Sequence, residues 1–411
     1  MTAPSVARRQ KYLGEMGLIA LITFLSAFVP LSTDLYLPAL PGIADYFGVS
    51  ADLSNLTLIL FFVFFSVGTL FWGPLSDKHG RRPILLIGLS IYSAASLGCA
   101  GSWDIHHLIA FRILQAIGGG GAVAVATAMI RDVYDSKSRE PILAMVQSMV
   151  LISPAAAPVL GALLLKFMSW RELFLVLACI GLLALAGSIA LQETITKCNT
   201  SSMLQALCRL CRVAGNPGFS SLLILFSLPS MSALAFIASS SYIYINGFGL
   251  SAQVYSYYYA INAIAMTFGP MLYMRVSRKC HRRSIIIVCF AAISASGLLI
   301  SFVGGFQPWI LTIVLLPATI CGNCVRTPGA NLMLEQQRED TGSAAALMSF
   351  SSIFIGSIGM TIISLNWSNT ILVLGIMNIL IELVCEALWL RISQKPYVMQ
   401  VPERYIAAAS R

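Results

Sequence analysis

The chain has 411 residues, of which 57% are hydrophobic and only 10% charged, with a formal net charge of +9 and a mean hydropathy of +0.82. Soluble domains carry about 25% charged residues, so this composition excludes an ordinary soluble enzyme, a nucleic-acid binder and a disordered chain. The strands of an outer-membrane barrel alternate apolar and polar positions over about 10 residues. Here apolar runs such as 55–72 and 174–191 continue unbroken, close to the roughly 20 residues a spanning helix needs. The chain therefore reads as an all-α, polytopic membrane protein.

Taken in chain order, the apolar runs place twelve spans at 14–36, 54–73, 83–102, 105–130, 141–165, 170–191, 218–245, 252–274, 284–304, 308–330, 342–365 and 370–390. The first is too long for a signal peptide and lacks a small-residue cleavage site before Asp34. Lysines and arginines alternate strongly between the two sides of this scheme. One side holds 23 of them, with Arg326 and Arg338 counted together between spans ten and eleven, and the other holds only Lys166 and Arg171. Arg112 lies inside a span. The positive-inside rule then puts both termini in the cytoplasm, and the basic balance is a topology signal that implies no nucleic-acid partner.

The long polar break at 192–217 divides the chain into an N-terminal six-helix bundle (1–191), a cytoplasmic linker (192–217) and a C-terminal six-helix bundle with a short tail (218–411). Within the break, Leu204, Leu207, Leu210 and Cys211 share a helical face beside Arg209 and Arg212, the pattern of a surface-lying helix; a plain linker fits equally well. The halves echo each other, since the segments 73–83 and 269–283 both open with Gly-Pro and close with Arg-Arg. Such duplication is common in secondary transporters. The pairs Cys208/Cys211 and Cys321/Cys324 lack the two further ligands of a closed zinc shell and read as packing residues. No metal, no cofactor and no clustered nucleophile for an enzyme is implied.

The loop Gly73-Pro-Leu-Ser-Asp77-Lys-His-Gly80-Arg81-Arg82-Pro83 is the sharpest motif. Its glycines permit a tight turn between two helices, Pro83 suits a first helical turn, and Asp77 with the arginines can form a charge latch. The loop resembles the signature of the major facilitator superfamily, G-x-L-x-D-[RK]-x-G-R-[RK], at every position. Leu108, Arg112, Gln115 and Gly118 resemble that superfamily's helix-4 motif, with Ala116 where the family has glycine. Ala144, Ser153, Ala157, Pro158, Gly161 and Ala162 resemble its helix-5 antiporter motif with small residues in place of several glycines. The run Asp34-Leu-Tyr-Leu-Pro38-Ala-Leu-Pro41 narrows the likeness to the drug:proton antiporter group, in its bicyclomycin and chloramphenicol resistance branch.

That resemblance implies two pseudo-symmetric six-helix bundles, a monomer in a bacterial inner membrane, and proton-coupled antiport of small, partly apolar compounds by alternating access. An exporter of a metallophore, siderophore or amino-acid-like metabolite, bound through Arg112, is the alternative; a non-transporting membrane sensor is more remote. A charge inside a span is costly without a partner, so Arg112 needs an acid. Asp34 is expected to be that partner and the proton carrier, because helices 1 and 4 face one cavity in the family's fold. The resemblance further implies Tyr36, Gln115, Gln147, Phe236, Tyr258 and Asn262 as cavity residues, and Gly73, Asp77, Gly80, Arg81, Arg82, Pro158 and Gly161 as gating or latch residues. Glu382 and Glu386 are the other membrane acids, and Glu382 is the second candidate for a proton.

The charge asymmetry predicts that a reporter fused after Arg411 is active in its cytoplasmic form only. Activity of a periplasm-dependent reporter at that position would require an odd number of spans.

Overall fold

The computed structural model describes residues 10–134, 136–195, 203–337 and 340–396, and among these there are helices and no strands. In chain order they are α1 (Gly14–Ser26), α2 (Phe28–Asp34), a 3-10 turn (Leu37–Ala39), α3 (Leu40–Phe47), α4 (Ala51–His79), α5 (Arg81–Ala100), α6 (Ile105–Val133), α7 (Ser136–Leu164), α8 (Trp170–Ala190), α9 (Met203–Ala214), α10 (Pro217–Ser227), α11 (Pro229–Ser241), a π turn (Tyr242–Gly247), α12 (Ala252–Val276), α13 (Arg282–Val303), α14 (Pro308–Glu335), α15 (Thr341–Ser364) and α16 (Thr370–Ile392). A helix occupies every expected span. Among the described residues nine helical segments are long and apolar enough to cross a membrane, and the bent run from Gly14 to Phe47 makes a tenth. The other two expected spans fall on α7 and α12, which are not among these; α7 has its apolar stretch at Ser148–Leu164, and α12 carries Tyr255, Tyr257, Tyr258, Tyr259 and Asn262, which dilute its apolarity.

Local chemistry accounts for the ends and breaks. The first span is broken because Pro30 lacks an N–H and its ring excludes the Ser26 carbonyl, and α1 ends at Ser26. The Asp104 side chain accepts the His106 and His107 N–H groups and starts α6; the bond from His107 is the main reason its carboxyl sits below the usual range. Ser169 and Glu172 form a capping box at α8. Asn216 and Asn369 cap α10 and α16 more simply, their side-chain oxygens accepting backbone N–H groups of the first turn. Between α4 and α5 the chain turns at Gly80, whose φ of +97° favours glycine.

The chain forms two compact units, one of residues up to Ala206 with Ser251–Ala260, the other of Leu207–Leu250 with residues from Ile261 onward. In the first, α6 packs on α4 and α5, and α5 packs on α8. In the second, α13 packs on α14 and α16, and α11 on α15. The pairings of α5 with α6 and α8 thus recur as those of α13 with α14 and α16, which gives the sequence echo a structural counterpart. Arg326, counted in the charge tally with the loop after span ten, lies inside α14, nine residues before its end, as the bounds of that span at 308–330 already imply.

Close helix contact comes from glycine. A Cβ on Gly118 would lie 2.5 Å from the Gly88 carbonyl oxygen and 2.6 Å from the Tyr92 nitrogen, whereas one on Gly120 would lie 3.1 Å from the Thr69 nitrogen. Alternate members of the run Gly118–Gly121 therefore let α6 approach α5 and α4 at backbone distance, where packing and not hydrophobicity drives association in lipid. Gly118→Leu is expected to lower the thermal unfolding midpoint and the folded yield, since overpacking costs about 1–3 kcal/mol or more. Gly73→Ala, where a Cβ meets nothing within 4 Å, is expected to leave both unchanged.

Candidate functional site

The first unit holds a fully buried cation. Arg112 projects from α6 with 0% exposure; its Nη1 donates to the Gln115 side-chain oxygen at 2.7 Å and to the Ser32 carbonyl at 3.2 Å. The guanidinium carbon lies 4.3 Å from the Phe61 ring centroid, 4.7 Å from Tyr36 and 5.8 Å from Phe174. Each desolvated cation–ring contact is worth up to about 2 kcal/mol, so the rings replace part of the lost hydration. Gln115 is itself held, its amide donating to Ser96 Oγ at 2.7 Å. Tyr36 shares a 2.8 Å hydrogen bond with Thr57. Nε and Nη2 of Arg112 have no hydrogen-bond partner among the described residues.

The expected Asp34–Arg112 pair is not formed. Asp34 is buried and accepts from Thr33 Oγ1 at 3.1 Å, while the Arg112 contacts run to Ser32. At 100° per residue, positions 32 and 34 of α2 face nearly opposite ways, so the helix that presents the Ser32 carbonyl to Arg112 turns Asp34 aside. Ser32 also shares a 2.5 Å hydrogen bond with Tyr92, which fixes this rotation. Gly161 sits behind the segment: a Cβ there would come within 2.9 Å of the Leu35 carbonyl carbon, and Pro158 beside it is buried. Tyr36 and Gln115 are sealed, with 0% exposure, and surround Arg112; neither offers a free surface to cargo.

The loop after α4 closes a charge cluster within the same unit. Arg81, 3% exposed, donates from Nη1 to Asp77 at 2.5 Å and to Ser76 at 2.7 Å, and from Nε to Asp132 at 2.7 Å. Arg82 bonds the Ile189 carbonyl at 2.8 Å and pairs with no acid among the described residues, so only Arg81 of the two arginines joins the acids. Glu193, just beyond α8, accepts the backbone N–H groups of Arg81 and Arg82 at 2.9 and 3.1 Å, an anion at a helix N-terminus. A Cβ on Gly80 would sit 2.5 Å from that carboxylate. Asp132 and Glu193 are missed by motif reading because they lie 50 and more residues away; their one sequence signal is an acid at the end of a span.

In the second unit Arg282 Nη1 and Glu335 lie 3.7 Å apart, the counterpart of Arg81 and Asp132. Asn262 accepts from Thr319 Oγ1 at 3.3 Å, and Asn323 donates to the Thr319 carbonyl at 2.9 Å. Phe236 is buried on α11. Tyr258 is half-buried on α12, and the side chain of Gln147, on α7, lies outside the described residues. Glu382 is 1% exposed and its Oε2 lacks a partner among the described residues, so α16 turns this acid into its bundle, while Glu386 is half-buried.

The sequence profile of the Major Facilitator Superfamily matches residues 22–360. The chain belongs to that superfamily. It is 29% identical over 361 residues to the uncharacterized MFS-type transporter YdgK of Bacillus subtilis, covering 86% of this chain and 89% of that one. It is 29% identical to a chloramphenicol resistance protein of Pseudomonas aeruginosa, with 86% of each chain covered, and 26% identical to the bicyclomycin resistance protein homolog of Haemophilus influenzae over 68% of this chain and 71% of that one. These relatives support membership of the drug-efflux branch. Among solved structures, the nucleoside transporter NupG matches with a TM-score of 0.72 over 91% of this chain and 99% of its own, at 12% identity. A D-xylose–proton symporter matches at 0.70 over 90% and 97%, at 13% identity. The chain is a multi-pass membrane transporter and not an enzyme.

Removing one acid from the Arg81 cluster tests its cohesion. Asp132→Ala leaves the nearly buried guanidinium with Asp77 alone and is expected to cost about 1–3 kcal/mol, read as a lower unfolding midpoint in detergent; Lys78→Ala, one residue from Asp77, is expected to change nothing.

Proposed function

We propose that this transporter is a monomeric proton-coupled antiporter of a bacterial inner membrane, with both termini cytoplasmic, that exports small, partly apolar compounds by alternating access. The observation that carries the reading is the Arg112 site: a sealed guanidinium with two unfilled donors in the same unit as an acid, Asp34, that has no ion pair. A guanidinium presents a fork that matches a carboxylate. In this reading a proton on Asp34 leaves the arrangement as it stands, and loss of that proton draws the carboxylate to Arg112, so proton and cargo act on one two-state equilibrium. The Arg81 cluster serves as the latch of one state, with Gly80 shaping the turn; Gly73, expected in that turn, lies inside α4 instead, and Pro158 and Gly161 hold the segment that carries Asp34. The domain division at 192–217, with bundles at 1–191 and 218–411, belongs to the same proposal.

The names of relatives, which include bicyclomycin and chloramphenicol resistance and multidrug resistance in Shewanella oneidensis, support the drug-efflux choice of cargo. The alternative in which Arg112 itself holds an anionic metabolite loses its binding group, because Arg112 has no accessible surface.

Cells producing the chain are expected to gain resistance to chloramphenicol or bicyclomycin. Asp34→Asn and Arg112→Ala are each expected to abolish it at wild-type protein levels, while Arg112→Lys retains a part, since the point charge survives without the planar fork. Asp77→Asn is expected to insert normally and lose most transport. Undiminished export by Asp34→Asn moves the proton site elsewhere, with Glu382 next to be tested.

A further inference from the structure

Among the described residues two arginines lie about two turns or more inside a spanning helix, Arg112 and Arg326. They differ in what surrounds them. Arg112 is sealed, whereas Arg326 keeps an exposed side chain and forms no hydrogen bond, ion pair or ring contact with any described residue. It stands nine residues before the Glu335 end of α14, about 14 Å along the helix at 1.5 Å per residue.

The flank of α14 that carries Arg326 is not the lipid flank. Ile313 is 54% exposed and Pro317 is exposed on the same side; at 100° per residue Arg326 lies about 140° and 180° from them. On its own side, Asn323 stands one turn earlier and Thr319 two turns earlier, and Thr319 meets Asn262 of α12. Gly322 is one turn from Arg326 on this flank, and a Cβ built there meets nothing within 4 Å. The second unit therefore has an open space beside a row of amide and hydroxyl groups that ends in an uncompensated cation. A cation among low-dielectric walls focuses a positive potential and suits a carboxylate, which a guanidinium can take in two parallel hydrogen bonds.

We propose that Arg326 binds the anionic group of the transported compound, and that the cargo includes small organic acids, with a carboxylate on a partly apolar body. The body lies over Gly322, and Asn323 supplies a hydrogen bond. This rests on the reading of the chain as an exporter of small compounds.

The test is equilibrium binding to the purified full-length protein in detergent, without a proton gradient, followed by thermal stabilisation. The probes are 4-phenylbutyrate, its neutral amide, and acetate as an anion without the body. Wild type is expected to respond to 4-phenylbutyrate at a concentration at least about tenfold lower than to the amide. Arg326→Gln should remove that preference, and Arg326→Lys should retain part of it. Gly322→Leu fills the open space and leaves the charge, so it should abolish the response even if Arg326→Gln proves too unstable to assay.

Equal response of wild type to acid and amide, including no response to either, overturns the proposal. So does an acid preference that survives Arg326→Gln, or wild-type binding by Gly322→Leu. An equal response to acetate reduces the site to an adventitious anion and overturns the cargo assignment. Asp34→Asn, which shifts the two-state equilibrium for both probes alike, should keep the preference for the acid over the amide, so failure of the proton-coupling scheme and failure of this site are read separately.

Discussion

The constraint on which the structure depends is that a membrane offers no water to the groups it encloses. Backbone groups meet it by forming helices, and side-chain charges must meet it through neighbouring helices. Arg112 shows the consequence most fully. Its guanidinium is held by a carbonyl of α2, an amide of its own helix and three aromatic rings from the 3-10 approach, α4 and α8. The positions of Tyr36, Phe61, Phe174, Ser96 and Ser32 are thereby tied to one charge, and with them the rotation of the helix that carries Asp34.

The same accounting separates structural from available charges. Arg81 is nearly buried and fully engaged, with carboxylates on two sides, and Glu193 neutralises the start of the helix that follows. That cluster joins α4, α5, α6 and the chain beyond α8 through polar contacts, while the glycines of α6 join the same helices through backbone contact. Glu382 and Asp34 are the acids that the helices bury without an ion pair, and each stands in a different unit. Arg326 is the cation left open to a polar flank.

Pseudo-symmetry limits what this arrangement inherits from its repeat. Arg282 and Glu335 reproduce the ends of α13 and α14 as Arg81 and Asp132 do those of α5 and α6. The interior charges are not repeated: an offset taken from Asp132 and Glu335 sets Arg112 against Leu315, and Arg326 against Val123. The duplicated scaffold fixes helix ends and crossings, and each unit then places its own cation on it.

Length, apolarity and charge alternation determined from sequence alone that the chain is helical and spans a membrane, because lipid permits few architectures and one lost charge bias would be conspicuous. The signature loop and the helix-4 and helix-5 motifs marked the superfamily, since turns and close crossings demand particular small residues at fixed spacing. Sequence also singled out Asp34, Asp77, Arg81 and Arg112 as candidate positions. Only the tertiary structure decided their partners. Helix rotation set Ser32 and not Asp34 against Arg112, and distant segments brought Asp132 and Glu193 to Arg81. Pairing depends on which faces meet across helices far apart in the chain, and a one-dimensional pattern does not carry that rotation.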